Sequence, residues 1–156
     1  MVEVTLYGNK MTTCTQRILI LLEELNLKYN FKNIDLKKNE HKTEEFLQLQ
    51  PFGKVPAMTY GERKLFESRS ILRYIAKNNI EFEDFLGDTE VDVWLEAESQ
   101  NFNPLASKIV YEKVFKKMWN KESDEKVVEE CVKELEKVLD IYEKRLENVP
   151  YIAGES

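Results

Sequence analysis

Hydrophobic positions alternate at the start of the chain. Val2, Val4 and Leu6 fall on one face of "VEVTLYG", a strand pattern that stops at Gly8. From Thr15 the period changes. Ile18, Leu19, Leu21, Leu22 and Leu25 recur at the spacing of an amphipathic helix, with Glu23 and Glu24 outside the stripe. "KYNFKNIDL" predicts a second strand through Tyr29, Phe31 and, less regularly, Ile34. A polar stretch and a short helix around "TEEFLQL" come next, and then two short strands, "VPAMTY" and "RKLF", joined at Gly61 as a hairpin. "ESRSILRYIAKNN" closes the segment as a helix with Ile71, Leu72, Ile75 and Ala76 inward, ending at Asn78 and Asn79.

The order is βαβ followed by αββα. A βαβ unit asks for parallel strands with a right-handed crossover. The hairpin and last helix then complete a four-stranded sheet with helices on both faces, an α/β thioredoxin-like layout. After a linker in "IEFEDFLGDTE" the pattern is wholly helical, in "VDVWLEAESQNFNPLASKIVYEKVFKKMW" and "DEKVVEECVKELEKVLDIYEKRLENV". Val127, Val128, Cys131, Leu135, Val138, Leu139, Tyr142 and Leu146 form a sustained stripe on the second. The expected domains are therefore residues 1–79 (α/β), a linker over 80–89, and 90–156 (all-α). Two helices make a hairpin and not a bundle, which leaves apolar surface for something else to cover.

Charge sharpens the division. Of 156 residues, 1–85 carry 13 basic and 12 acidic side chains and the rest carry 10 and 17, for a net charge of -6. That balance argues against nucleic acid or an anionic membrane as partner. Two cysteines do not make a disulfide framework, and one histidine offers no zinc spacing, so no metal is expected. Glu3 interrupts the first apolar stretch and "ILILL" is too short to span a bilayer, so a reducing, cytoplasmic setting is the default expectation.

Four stretches carry candidate chemistry. "TTCTQR" lies at a helix start, where unpaired amides and the helix dipole stabilise an anion and lower a nearby thiol's pKa. Thr12, Thr13 and Thr15 could equally be plain caps. Cys14 has no C-x-x-C partner, and the structural role is favoured for it. Pro56 in "FGKVPAM", if cis, would turn the preceding backbone toward an extended peptide, although proline at a strand start is also an ordinary edge feature. Glu67 and Ser68 stand at another helix start, suited to a carboxylate or to capping. His41 and Lys42 form a cationic pair for a second carboxylate, or a solvated surface pair. Together these describe a thiol-sized anion position with an extended-peptide edge and carboxylate receivers at both ends. Glutathione has that shape.

The segments "LYG…MTTCTQR", "EHKTEEFLQLQPFGKVPA", "KLFESRSILRYIA" and "NVPYIAGES" resemble those of cytosolic glutathione transferases, most closely the phi class. The resemblance implies that Thr12 stands where those enzymes use a serine hydroxyl to stabilise the glutathione thiolate, with Thr13 as fallback. It also implies that His41 and Lys42 hold the glycyl carboxylate and that Val55, before the cis-proline position Pro56, pairs with the cysteinyl backbone. Glu67 and Ser68 would receive the γ-glutamyl end. Lys54 departs from a common glutamine. Phe52 falls where related transferases insert an aromatic key into a partner subunit, implying a homodimer or other self-association.

Glutathione would be the co-substrate and a small hydrophobic electrophile the second substrate, bound between Met11, the Thr12 loop and the first long helix, in a detoxification role. The alternative is a non-catalytic transferase-like binding or interaction module. A reductase using Cys14 is disfavoured, because the family's reductases place cysteine at the Thr12 position. Members continue past "YIAGES", so a C-terminally short, truncated helical domain is expected, with apolar surface hidden by rearrangement, subunit exchange or association. Each uncovered Leu-sized side chain would cost about 1.5–3 kcal/mol.

Overall fold

The computed structural model of the chain describes residues 2–78 and 89–154. The chain divides into two compact units, Met1–Glu83 and Asp84–Ser156. Asn79 and the expected linker, apart from Thr89, lie outside the described residues.

In the first unit the elements run β1 (Val4–Gly8), α1 (Thr13–Glu24), β2 (Asn30–Asn33), a 3₁₀ turn (Glu40–Lys42), α2 (Glu44–Leu47), β3 (Ala57–Tyr60), β4 (Arg63–Phe66) and α3 (Ser68–Lys77). The sheet order is β2-β1-β3-β4. β1 pairs parallel with β2 and antiparallel with β3, and β3 pairs antiparallel with β4. This is the expected thioredoxin-like topology. Val4 and Leu6 of β1 and Met58 of β3 join Ile18 and Leu22 of α1 and Ile71 and Ile75 of α3 in one buried cluster. Each such aliphatic side chain contributes about 1.5–3 kcal/mol on burial. Phe46 of α2 is also buried but belongs to no part of that cluster.

The elements differ from the sequence expectation at their ends. α1 begins at Thr13 and not Thr15, because Thr12, in extended conformation, turns its carbonyl onto the amides of Thr15 and Gln16 (3.1 and 3.0 Å). β2 keeps only four residues. Tyr29 lies outside it and its hydroxyl donates to Glu23 Oε1 at 2.7 Å. Val2, expected on the buried face of β1, is 52% exposed. The 3₁₀ turn at Glu40–Lys42 follows Asn39, which holds φ +57°, a left-handed conformation that asparagine tolerates well.

The second unit is a helical hairpin. α4 (Thr89–Ala97), α5 (Asn103–Val110) and α6 (Lys116–Met118) follow one another through two wider π-type turns at Glu98–Phe102 and Tyr111–Phe115, so helical backbone runs on from Thr89 to Met118. The first wide turn precedes Pro104, which has no amide hydrogen to give one turn back. Asn120, at φ +52°, ends the run. Lys121 N donates to Lys116 O at 2.8 Å and Asn120 N to Lys117 O at 3.2 Å, closing the last carbonyls.

α7 (Glu125–Leu146) then returns, capped by Asp124, whose Oδ1 accepts from Val127 N. Its stripe buries Val128 and Cys131 and sets Tyr142 between the rings of Trp94 and Phe102. Arg145 pairs with Glu90, stands over the Trp94 ring and donates to Ile152 O at 3.2 Å, which ties the last turn to the hairpin. Leu139 and Leu146 of the stripe are exposed among the described residues, as are Ile141, Val114, Met118 and Trp119. Part of the apolar surface expected from the pattern is thus open in this chain.

Glu112 locks the two arms. Its carboxylate accepts from Asp124 N at 2.7 Å and lies 2.6 Å from Lys116 Nζ. The Asp124 amide, and then Lys116, hold its pKa below the usual carboxylate value. A carboxylate held lower in the fold than in the unfolded chain stabilises above its unfolded pKa and loses that stabilisation as pH falls through the folded one. Glu112→Gln is expected to lower the thermal midpoint at neutral pH, with the difference shrinking on acidification through the carboxylate range. Melting curves over pH check this; an equal offset at every pH contradicts it.

Candidate functional site

Register gathers the loops. Tyr7 of β1 faces Lys32 of β2 and Ala57 of β3, and Ala57 faces Phe66 of β4. β1, β2 and β4 therefore end, and β3 begins, at one edge of the sheet. The segments leaving there are Asn9–Thr12 after β1, Ile34–Lys42 after β2, Phe52–Pro56 before β3 and Glu67–Ser68 after β4. All the site residues expected from sequence lie on these segments or in the first turn of α1.

Asn9 organises the first loop. Its Nδ2 donates to Ile34 O (3.0 Å), its Oδ1 accepts from Met11 N (3.0 Å) and its carbonyl accepts from Thr12 N (2.9 Å). Gly8 lets the helix approach, since a Cβ there would stand 2.5 Å from Thr15 Cγ2. Thr15 is fully buried, and its Oγ1 accepts from Asn9 N at 3.3 Å. Thr12 caps α1 with its main chain only. Its hydroxyl lies 2.9 Å from Asn9 O and 2.7 Å from Thr15 Oγ1, and its one proton serves one of them at a time. The side-chain capping role open from the sequence is thus not the one Thr12 plays. Thr13 is exposed in the first turn and Cys14 is half-buried.

The second group surrounds the loop before β3. The Val55–Pro56 peptide is cis, the geometry considered from the sequence. Pro56 is buried, Val55 half-buried and Lys54 exposed; the ladder begins one residue later, at Ala57. Lys42 Nζ donates to Gly53 O at 2.8 Å and approaches Phe52 O at 3.3 Å, so it pins this loop as well as carrying charge. Gly53, at φ +58°, has no room for a Cβ, which would come within 2.8 Å of His41 O and Lys42 Nζ. His41 Nδ1 is buried and has no hydrogen-bond partner among the described residues. Burial, and then the adjacent Lys42 charge, push the His41 pKa down. Phe52 is 63% exposed, with its ring edge-on to Phe66 at 6.2 Å.

The third group is the start of α3. Glu67 holds φ +65°, a strained conformation for this residue type, and turns the chain directly into the helix. Ser68, the first helical residue, is 4% exposed and accepts from Arg17 Nη1 at 2.7 Å. That bond links the starts of α1 and α3, and hence the Thr12 loop to the Glu67 turn.

Sequence reasoning missed Asn9, Arg17 and Gln50, and named Thr15 only as a possible cap. Gln50 is buried, takes Phe52 N on its Oε1 at 2.6 Å and Gly53 N on its carbonyl at 3.0 Å. Arg17 had a signal, a charge immediately before the inward-facing Ile18. The others look like ordinary loop polar residues until the chain is folded. Among the described residues no group of three His, Cys, Asp or Glu could hold a metal, and no helix is long and apolar enough to cross a membrane. A polar cavity lined by Glu3, Thr5, Tyr7, Asn30, Lys32, Thr59 and Gly61 includes none of the expected site residues.

Comparison with known proteins gives this arrangement a context. Residues 2–77 match the family model for the glutathione S-transferase N-terminal domain, and residues 102–156 the one for the C-terminal domain. Glutathione S-transferase F7 of Arabidopsis thaliana is 42% identical over 164 residues, covering 99% of this chain and 77% of the relative. A glutathione S-transferase of Hyoscyamus muticus is 39% identical, covering 97% and 74%. The crystal structure of glutathione transferase F7 from Populus trichocarpa superposes with a TM-score of 0.91 at 38% identity, over 98% of this chain and 75% of that one. Glutathione S-transferase I from maize, solved with an atrazine glutathione conjugate, superposes with a TM-score of 0.88 at 36% identity, over 98% and 74%. With both halves matched and identity near two-fifths along nearly its whole length, the chain belongs to the glutathione S-transferase family, and the relatives it matches are plant phi-class members.

Proposed function

We propose that this chain joins the thiolate of glutathione to small hydrophobic electrophiles, as a cytoplasmic detoxifying transferase acting as a homodimer. The observation that carries the reading is the convergence of the Thr12 loop, the His41–Lys42 turn, the cis-Pro56 loop and the Glu67–Ser68 turn at one edge of the sheet. The maize relative bound to an atrazine glutathione conjugate supports it.

The thiol of glutathione loses its proton to solvent as the sulfur settles at the start of α1, where amides without helical partners and the helix dipole favour a negative charge. Thr12 donates its hydroxyl hydrogen to that sulfur. To do so it turns away from Asn9 O, while the Thr15 hydroxyl donates to Thr12 Oγ1 across their 2.7 Å contact. Thr13 is the second hydroxyl in reach of the same helix start.

The sulfur lone pair then forms a bond to the electrophilic carbon. A leaving group departs with its electron pair or, in an addition, the neighbouring atom takes up a proton. Val55, ahead of Pro56, pairs with the cysteinyl backbone, with Lys54 beside it. Glu67 and Ser68 receive the γ-glutamyl end, and His41 and Lys42 the glycyl carboxylate. Phe52, largely exposed at the rim, is the residue to insert into a second subunit.

The inward hydrogen bonds of Thr12 favour a second reading, a transferase-like module that binds glutathione without activating it. Thr12→Ala separates the two. For the enzyme, turnover falls about ten- to a hundredfold, as expected for a lost hydrogen bond to a charged group, and the ultraviolet thiolate band of bound glutathione weakens. No turnover in the wild type with binding intact selects the module, whereas unchanged turnover in the variant removes Thr12 from the chemistry and leaves the enzyme reading to another group.

His41 supplies a pH test. Burial, and then the Lys42 charge, lower its pKa, so it takes up a proton at lower pH than an exposed imidazole does. The glutathione affinity ratio of wild type to His41→Asn is expected to rise as pH falls through the folded pKa. By the same shift the wild type loses stability on that side, because the unfolded chain takes up the proton first. Isothermal titrations across pH measure the ratio, and a constant value contradicts the carboxylate role.

A further inference from the structure

Arg17 joins two of the three groups. It lies on the second turn of α1, half-buried, and its Nη1 donates to Ser68 Oγ at 2.7 Å and stands 3.8 Å from Cys14 Sγ. Ser68 itself is 4% exposed and opens α3 directly after the strained Glu67.

A guanidinium can only donate, whereas a serine hydroxyl has two lone pairs and a single proton. With one lone pair taken by Arg17, the Ser68 hydroxyl remains a donor, and its proton is free to serve an acceptor outside the pair. The site offers that proton beside the first-turn amides of α3, which have no partner within the helix, and next to the Arg17 guanidinium. All three features favour a carboxylate over a neutral acceptor. Without the guanidinium, the buried hydroxyl would be free to turn its proton onto a neighbouring backbone carbonyl.

We propose that Arg17 is a positioning residue: it fixes the Ser68 hydroxyl as a donor to the α-carboxylate of the γ-glutamyl group, and so helps set the requirement for a γ-glutamyl donor. This rests on the glutathione reading of the site. The role is not one of touching sulfur or electrophile, so it acts on donor recognition more than on turnover.

The test compares glutathione with cysteinylglycine, which lacks the γ-glutamyl group, in wild type, Arg17→Gln, Arg17→Lys, Ser68→Ala and the Arg17→Gln/Ser68→Ala double variant. Circular dichroism and melting curves establish that each is folded. Arg17→Gln is expected to raise the KM for glutathione about tenfold, the scale of one charge-assisted hydrogen bond, with a smaller change in kcat and no change in the KM for cysteinylglycine. Arg17→Lys keeps a donor and recovers part of the loss. The double variant loses little beyond Ser68→Ala alone, since both changes remove one unit.

A folded Arg17→Gln protein with unchanged KM for glutathione overturns the assignment. So does an equal rise for both thiols, which would mark a merely structural role, and so does full additivity with Ser68→Ala. Should Arg17→Gln fail to fold, the Arg17→Lys protein and the Ser68→Ala comparison decide, through the same difference between the two thiols. A folded wild type that binds neither thiol overturns the glutathione reading and this assignment together, whereas wild type binding with an indifferent Arg17 overturns this one alone.

Discussion

The site depends on the register of β1 between its two neighbours. Paired with β2 in parallel and β3 antiparallel, β1 puts Tyr7 level with Lys32 and Ala57, and Ala57 puts Phe66 level with both. Four chain segments distant in sequence are thereby delivered to one edge. A slip of one residue would turn Val4 and Leu6 from the core to the opposite face and carry the Asn9 loop with them. The aliphatic cluster of Leu6, Ile18, Leu22, Met58 and Ile71 opposes that slip, so packing away from the loops fixes where the loops of the candidate site meet.

Within that frame the loops are held by polar side chains bonded to backbone. Asn9 shapes the first loop, Gln50 and Lys42 hold the segment before Pro56, and Arg17 ties the two helix starts. Two glycines permit the closest approaches, Gly8 against Thr15 and Gly53 against His41 and Lys42. Positions fixed in this way need little reordering when a substrate arrives, which is where a site gains its advantage over free reactants. Glu67 is held in a strained backbone conformation, and it stands at the end proposed to receive the γ-glutamyl group.

Much of this was legible in the sequence. The strand alternation, the α1 stripe, the hairpin at Gly61 and the inward face of α3 all follow from hydrophobic period, and the topology follows from their order. The site motifs could be placed on helix starts and a strand start because Thr, Ser, Glu and Pro have known preferences there. The partners of Asn9 and Arg17 were not legible, since each bonds across distant segments, to Ile34 O and Ser68 Oγ, and no local period records that. Thr15 and Gln50 bond to nearby backbone amides, and that role shows only once the loops are closed. The π-type turns on either side of α5 were hidden for a similar reason: Pro104 signals a disturbed helix but not how the backbone absorbs it. In the helical unit the stripe on α7 correctly marked Val128, Cys131 and Tyr142 as inward, while Leu139 and Leu146 on the same stripe remain exposed among the described residues.

The central claim is that one sheet edge is the glutathione site. Backbone amide shifts, followed by NMR as glutathione is titrated into the full chain, test it most directly. The account predicts the largest changes in residues 9–15, 41–42, 52–55 and 67–69, saturating together with a single affinity. Changes centred instead on Glu3, Thr5, Asn30, Thr59 and Gly61, or confined to the helical hairpin, would contradict it.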